Sequence, residues 1–231
     1  MKPHVWIPLL LAAAGIVALG VHRATSETAT EPVSGVRIAA PGRPELALPL
    51  PAFSLRDQDG AAVTDRDLRG KVSIVNFIFT RCPTICPKLT AQMSELVKST
   101  ADVEGLAFVS ISVDPENDPP PVLRAYGERY GADFTRWRFL TGDQKALEAT
   151  VVQGFKVALG RDDTGAIVHA ERFVLVDREA RIRGYFDAGD EGRRELVEAA
   201  RKLAAARVQR AAASLRAAST SSRRSSSPAS K

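Results

Sequence analysis

Cysteine is the scarcest chemistry in this chain: 231 residues hold two, both inside Thr80 to Pro87, which reads TRCPTICP. With no thiol elsewhere, any sulfur chemistry is confined to that stretch, and a role as two scattered small core residues is disfavoured. Histidine is nearly as rare. His4 and His22 flank an apolar run, so His169 is the only imidazole in the body of the chain. Near these residues stands neither a paired carboxylate set nor a Ser/His/Asp arrangement, so no hydrolytic group is called for. Basic excess is missing too. Eight Lys or Arg and no acid lie between Arg201 and Lys231, leaving 24 basic against 27 acidic residues before them. The net charge of +5 therefore belongs to the tail, the body is slightly acidic, and nucleic-acid binding loses its main support.

The thiol stretch follows Val72 to Phe79, a β-rich apolar run that reads as a buried strand. From Lys88 onward, Leu89, Met93, Leu96 and Val97 recur at three- and four-residue steps, the period of a helix. The thiols thus sit where a strand hands over to a helix, the place where chemistry collects in an open α/β sheet. Residues four apart at a helix start lie about one turn apart on one face, so Cys82 and Cys86 can converge on each other or on one atom. The positive end of a helix favours thiolate over thiol. Thiolates are both nucleophiles and soft metal ligands.

The N-terminal 1–23 reads as a signal anchor or a cleavable signal peptide. Lys2 precedes Val5 to Val21, a run of 17 residues without a charge, with Ala18-Leu19-Gly20 as a small-residue cleavage pattern. Positive charge on the N-terminal side keeps that end in the cytoplasm, so in both cases the body lies extracytoplasmic, on the periplasmic face. Residues 24–51 read as an extended tether rich in Thr, Glu, Pro, Ala and Gly. Residues 52–207 form the expected folded domain, and 208–231 a basic Ser/Ala-rich tail whose end carries no chemistry.

Within the domain the class is α/β with a mixed central sheet flanked by helices. Phe53-Ser54-Leu55 and Ala61-Ala62-Val63 around Asp59-Gly60 predict an N-terminal hairpin. Further strands are expected over Gly105–Val113, Trp137–Leu140, Phe173–Asp177 and Ile182–Phe186, the last two joined at Glu179-Ala180. Helices are expected from Pro121 to Tyr130, over Asp143–Phe155 with Asp143 as cap, and from near Asp190. Asp114 to Pro121 can only be a loop, and His169 falls just ahead of the strand at Phe173.

These residues carry a resemblance. Pro51-Ala52-Phe53-Ser54-Leu55 with Asp59-Gly60, Leu68-Arg69-Gly70-Lys71, and Asn76 through Pro87 resemble the Sco/SenC family. So do Ser112-Val113-Asp114-Pro115 with Asp118, Leu140-Thr141-Gly142, and His169 ahead of Leu175-Val176-Asp177. The likeness spans roughly residues 50 to 200 and implies a thioredoxin-like fold. It also implies a membrane-tethered copper chaperone for the binuclear copper centre of cytochrome c oxidase, with Cys82, Cys86 and His169 as ligands. Many family members carry Asp-His-Ser where this chain has Val168-His169-Ala170, so any carboxylate hydrogen bond from the preceding residue is missing.

Two thiolates and one neutral imidazole make a soft three-ligand set suited to Cu(I) and able to hold Cu(II), whereas zinc ordinarily takes a fourth ligand. The implied partners are the copper-centre subunit of the oxidase, the membrane and an extracytoplasmic thiol reductant, since Cys82 and Cys86 can also close a redox disulfide. The rival reading is a membrane-tethered thiol–disulfide oxidoreductase that reduces the copper-ligand cysteines of the oxidase subunit. Against it, three residues rather than two separate the cysteines. Moreover, no proline stands from Val122 to Ser227 to supply the cis-proline that thioredoxin-like oxidoreductases hold opposite their thiols. A peroxidase would want Thr three residues before its cysteine, and Thr80 is two before Cys82.

Overall fold

The computed structural model describes residues 46–161, 167–169 and 171–206. The N-terminal segment, most of the tether and the basic tail expected from the sequence lie outside the described residues. No helix among the described residues is long and apolar enough to cross a membrane.

The centre is an eight-stranded mixed sheet. Its strands are β1 (Leu48–Pro49), β2 (Ser54–Asp57), β3 (Ala62–Thr64), β4 (Val72–Ile78), β5 (Leu106–Ser112), β6 (Trp137–Thr141), β9 (Arg172–Val176) and β10 (Arg181–Asp187), with β7 (Leu159–Arg161) and β8 (Ile167–His169) forming a separate pair. Across the large sheet the order is β1-β10-β9-β4-β5-β6-β2-β3. β4 runs parallel to β5, and β5 to β6; β9 lies antiparallel against the other side of β4. Every residue of β4 is buried, as befits a central strand covered on both faces.

Period-two alternation splits β4 between two cores. Val72, Ile74 and Ile78 face a layer built with Cys82, Cys86, Leu89, Met93, Trp137, Phe139 and Leu196, whereas Val75 and Phe77 face Leu147, Val151 and Phe155. The first layer is helix α2 (Ile85–Ser99) and a helix over 190–206, α5, with α3 (Pro120–Arg129) beside them. α2 buries Cys86, Leu89, Met93 and Leu96, a 3-4-3 spacing that lines one stripe of the helix with sheet-facing side chains. The second layer is α4 (Gln144–Glu148), and the short helix α1 (Asp65–Leu68) follows β3.

The elements expected from the sequence are present, with four differences. The tether expected through Pro51 already joins the sheet at β1, where Leu50 is buried and its amide donates to the Ala180 carbonyl (3.0 Å). Pro49 on that strand cannot donate to a further strand, so the sheet edge there is blunt. α3 starts at Pro120, one residue earlier than expected, because Pro119 takes the extended cap position and two prolines fit the donor-free first turn. The single helix expected over Asp143–Phe155 begins with the Asp143 cap, whose carboxylate accepts from the Ala146 amide (2.9 Å), but widens to a π-turn over Ala149–Gly154. There the Phe155 amide reaches back five residues to the Thr150 carbonyl (2.8 Å). Finally, His169 stands in a strand of its own, β8, which apolar periodicity did not reveal because the β7–β8 pair is only three residues long on each side.

The hairpin β2–β3 forms as expected. Gly60 takes φ +80°, and the Asp57 carboxylate accepts from the amides of Asp59 and Ala61 (both 3.0 Å), which closes the turn.

Candidate metal and redox site

β4 delivers the chain to the end of the sheet at Ile78, and the next residues turn back sharply, with the Cys82 amide donating to the Phe79 carbonyl at 3.3 Å. Thr84 precedes the first turn of α2, so Cys82 lies just outside the helix and Cys86 is its second residue. The Cys86 amide donates to the Cys82 sulfur at 3.4 Å. Both side chains are buried, with Cys82 retaining 7% exposure and Cys86 none. No disulfide joins them.

Their environments push the two thiols apart. Burial alone would raise Cys82. Backbone hydrogen bonds from Cys86, Thr84 and Ile85, together with one from the Cys86 side chain, outweigh burial and hold it below the ordinary thiol value. These are the unpaired amides of a helix start, aimed at sulfur. Cys86 goes the other way: burial pushes it up to about 12, and a backbone hydrogen bond with Phe79 offsets only part. The hydrogen bond and charge of Cys82 and the charge of Asp118 raise it further. The helix terminus thus activates one thiol, not both, because only the residue outside the helix lies in front of its amides.

A second loop grips the first. Arg81 donates to Asp114 at 3.1 Å, and Asp114, nearly fully buried, also accepts from the Asn117 side-chain amide at 2.9 and 3.0 Å. Thr80 donates to Asp118 from its amide at 3.1 Å and from its hydroxyl at 2.5 Å. The sequence marked Asp114 and Asp118 as loop residues but gave them no role. The available signal was positional: an Asp-Pro run leaving the strand parallel to β4 must emerge beside the thiol loop.

His169 ends β8, paired in register with Leu159 of β7. Two residues later the chain reaches Glu171 and enters β9, which runs antiparallel to β4 and therefore begins at the sheet end where the thiol loop starts. A cavity of about 480 Å³ there is lined by Ile85, which lies between the cysteines, by Lys88 and Gln92 of α2, and by Glu171, Arg172 and Asp187. The histidine side chain lies outside the described residues. Among the described residues no group of three or more His, Cys, Asp or Glu converges as a metal site. The donors that are described, two soft sulfurs one helical turn apart, match the preference of Cu(I) for thiolate.

The SCO1/SenC family profile matches residues 44–205. The chain belongs to the SCO1/SenC family. Among curated relatives, the SCO1 protein homolog of Bacillus subtilis is 36% identical over 133 residues, covering 56% of this chain and 69% of its own length. Among solved structures, BsSco is 30% identical with a TM-score of 0.63, covering 69% of this chain and 95% of its own. It is described as a member of the Sco family of cytochrome c oxidase assembly proteins in which a disulfide switch was identified. ScoI of Bradyrhizobium japonicum, solved with copper bound, is 30% identical with a TM-score of 0.56, covering 67% and 97%. The mixed sheet and flanking helices of this SCO1/SenC protein are accordingly the thioredoxin-like fold expected from its sequence. The match begins at residue 44, which agrees with a sheet that opens at β1 rather than at residue 52.

Proposed function

We propose that this protein is a copper chaperone that carries copper on Cys82, Cys86 and His169 and delivers it to the binuclear copper centre of cytochrome c oxidase during assembly. The observation that carries this reading is the meeting of the two chain segments at one sheet end. Ile85, which lies between the two cysteines, and Glu171, two residues beyond His169, line the same cavity. Two buried thiol donors suit Cu(I), and an imidazole would supply the nitrogen that Cu(II) requires. Copper is cargo here, so a site with few ligands suits release to an acceptor. A copper-bound relative and a relative from an oxidase-assembly family support the same reading. Cargo of this kind is handled on the extracytoplasmic face of the membrane, where residues 1–23 would hold the domain. A reporter fused after Pro51 should be active only outside the cytoplasm; activity confined to the cytoplasm would overturn that topology. Titrating the reduced protein with Cu(I) and Cu(II), with and without His169→Ala, tests the ligand set; a wild-type chain that binds neither ion sinks it.

A second reading is favoured by the split between the thiols. Cys82, held below the ordinary thiol value, is a nucleophile, and Cys86, held above it, is a resolving thiol that stays protonated until needed. In this role the Cys82 thiolate attacks an acceptor disulfide to give a mixed disulfide. Cys86 then displaces the acceptor, which leaves as a dithiol while Cys82 and Cys86 become a disulfide. An extracytoplasmic thiol reductant must then return two electrons and two protons to the pair. Cells carrying His169→Ala separate the two roles. Under limiting copper, a chaperone fails to assemble the oxidase copper centre, whereas a reductase assembles it in full.

A further inference from the structure

Asp118 is fully buried just ahead of α3, yet among the described residues no arginine, lysine or histidine forms an ion pair with it. Its oxygens are satisfied by neutral donors: the Thr80 amide (3.1 Å) and Ser112 hydroxyl (2.5 Å) on one, the Thr80 hydroxyl (2.5 Å) on the other. The Ser112 hydroxyl already accepts from the Asp114 amide at 3.1 Å, which leaves its own proton for the carboxylate. Burying a carboxylate without a countercharge is costly, and the fold retains one here.

The two residues it joins lie at the ends of different strands: Ser112 closes β5, and Thr80 stands two residues beyond β4. β4 and β5 pair in register up to Ile78 and Ser112, and the Val113 amide donates to the Ile78 carbonyl at 2.8 Å. Beyond that rung the ladder stops, and the chain from β4 continues through Thr80 to Cys82 with no strand beside it. The Asp118 carboxylate bridges the gap at that point.

We propose that Asp118 is a positioning residue for the thiol pair: by tying Thr80 to Ser112 across the separating ends of β4 and β5, it fixes the backbone that holds Cys82 against Cys86. This rests on reading the pair as the protein's working group, and not on copper. A fixed loop raises the effective concentration of one thiol at the other, so it favours the disulfide over the dithiol. The loosened loop samples arrangements with the sulfurs apart, and the dithiol gains.

The full-length protein, without metal, is equilibrated in glutathione buffers of varied ratio, and its thiols are trapped and counted by mass spectrometry. In this exchange Cys82 and Cys86 give two electrons and two protons to one glutathione disulfide, which leaves as two glutathione thiols. Asp118→Ala should shift the equilibrium toward the dithiol by about tenfold or more. Asp118→Asn should stay within about twofold of wild type, because the amide oxygen still accepts from the Thr80 amide and the Ser112 hydroxyl, while the Thr80 hydroxyl rotates to accept from the new amide. Thr80→Val, which removes one of the three bonds, should shift it by roughly threefold in the same direction. If Asp118→Ala shows no cooperative thermal unfolding, Thr80→Val decides the matter alone. Equilibrium constants equal to wild type in folded Asp118→Ala or Thr80→Val would overturn the proposal, as would an Asn variant as impaired as Ala, since the charge would then be what mattered. A wild-type chain that binds no copper, with these shifts intact, would remove the chaperone reading and leave this one standing.

Discussion

The two parts of the proposed site are built very differently. The thiol half hangs from β4, the most buried strand of the sheet, and is gripped from the side by Asp114 and Asp118. The imidazole half ends a three-residue strand that, among the described residues, pairs with β7 alone, outside the eight-stranded sheet. One half is fixed by the same packing that stabilises the domain, and the other hangs on a separate two-stranded unit. On the proposed ligand set the difference makes thiol chemistry and copper retention separable: the first would need only the core-anchored half, the second both.

Removing a thiol is the strongest way to break that comparison. Cys82→Ser or Cys86→Ser should abolish both disulfide formation and Cu(I) binding, because one sulfur can neither close a ring nor chelate. Competition with a chromogenic Cu(I) chelator and thiol counting should show both losses together. Retention of Cu(I) by either variant would mean that the donors lie elsewhere.

His169→Ala sharpens the comparison. Disulfide formation should be unchanged, while copper affinity falls by at least about tenfold, the lower end of what loss of a ligand's hydrogen-bond partner costs, and further for Cu(II) than for Cu(I). Equal losses of disulfide and copper would show that the two halves are coupled after all.

Within the thiol half, pH separates the partners. Cys82 should be alkylated by iodoacetamide at a lower pH than an ordinary thiol and Cys86 protected until the medium approaches pH 12, read by peptide mapping of the modified chain. The sign for stability follows. Cys86 is raised from the ordinary 9.0 to about 12, so its contribution is fully present below about pH 9 and is lost as pH rises through about 12. Cys82 is lowered, so its contribution is present above the ordinary thiol value and is lost as pH falls through its folded value. Alkaline unfolding of reduced protein, followed by circular dichroism, should therefore weaken when Cys86 is replaced by Ala. Simultaneous alkylation of both thiols at neutral pH would count against this asymmetry.

The smallest effect is expected from the tail. Deleting Ser219 to Lys231 should leave thermal stability and copper binding unchanged, since terminal residues rich in serine contribute few buried contacts. Bound copper lost on truncation would give the tail a place in the site.

Sequence alone determined the order of the main strands and helices and the thiol pair. Those signals are local: period-two and period-3.6 apolar patterns, Asp-Gly at a hairpin, Asp143 as a cap, two cysteines four residues apart at a strand–helix junction. Tertiary structure alone decided which thiol is activated, because the Cys82 sulfur meets helix amides only once the loop has folded back, and Cys86 loses water only when α2 packs on the sheet. It also decided that Asp114 and Asp118, 33 and 38 residues from Arg81 and Thr80 in the cysteine motif, reach them. Parallel pairing of β4 with β5 brings two distant loops to one end of the sheet, and no local pattern encodes which side chains then meet.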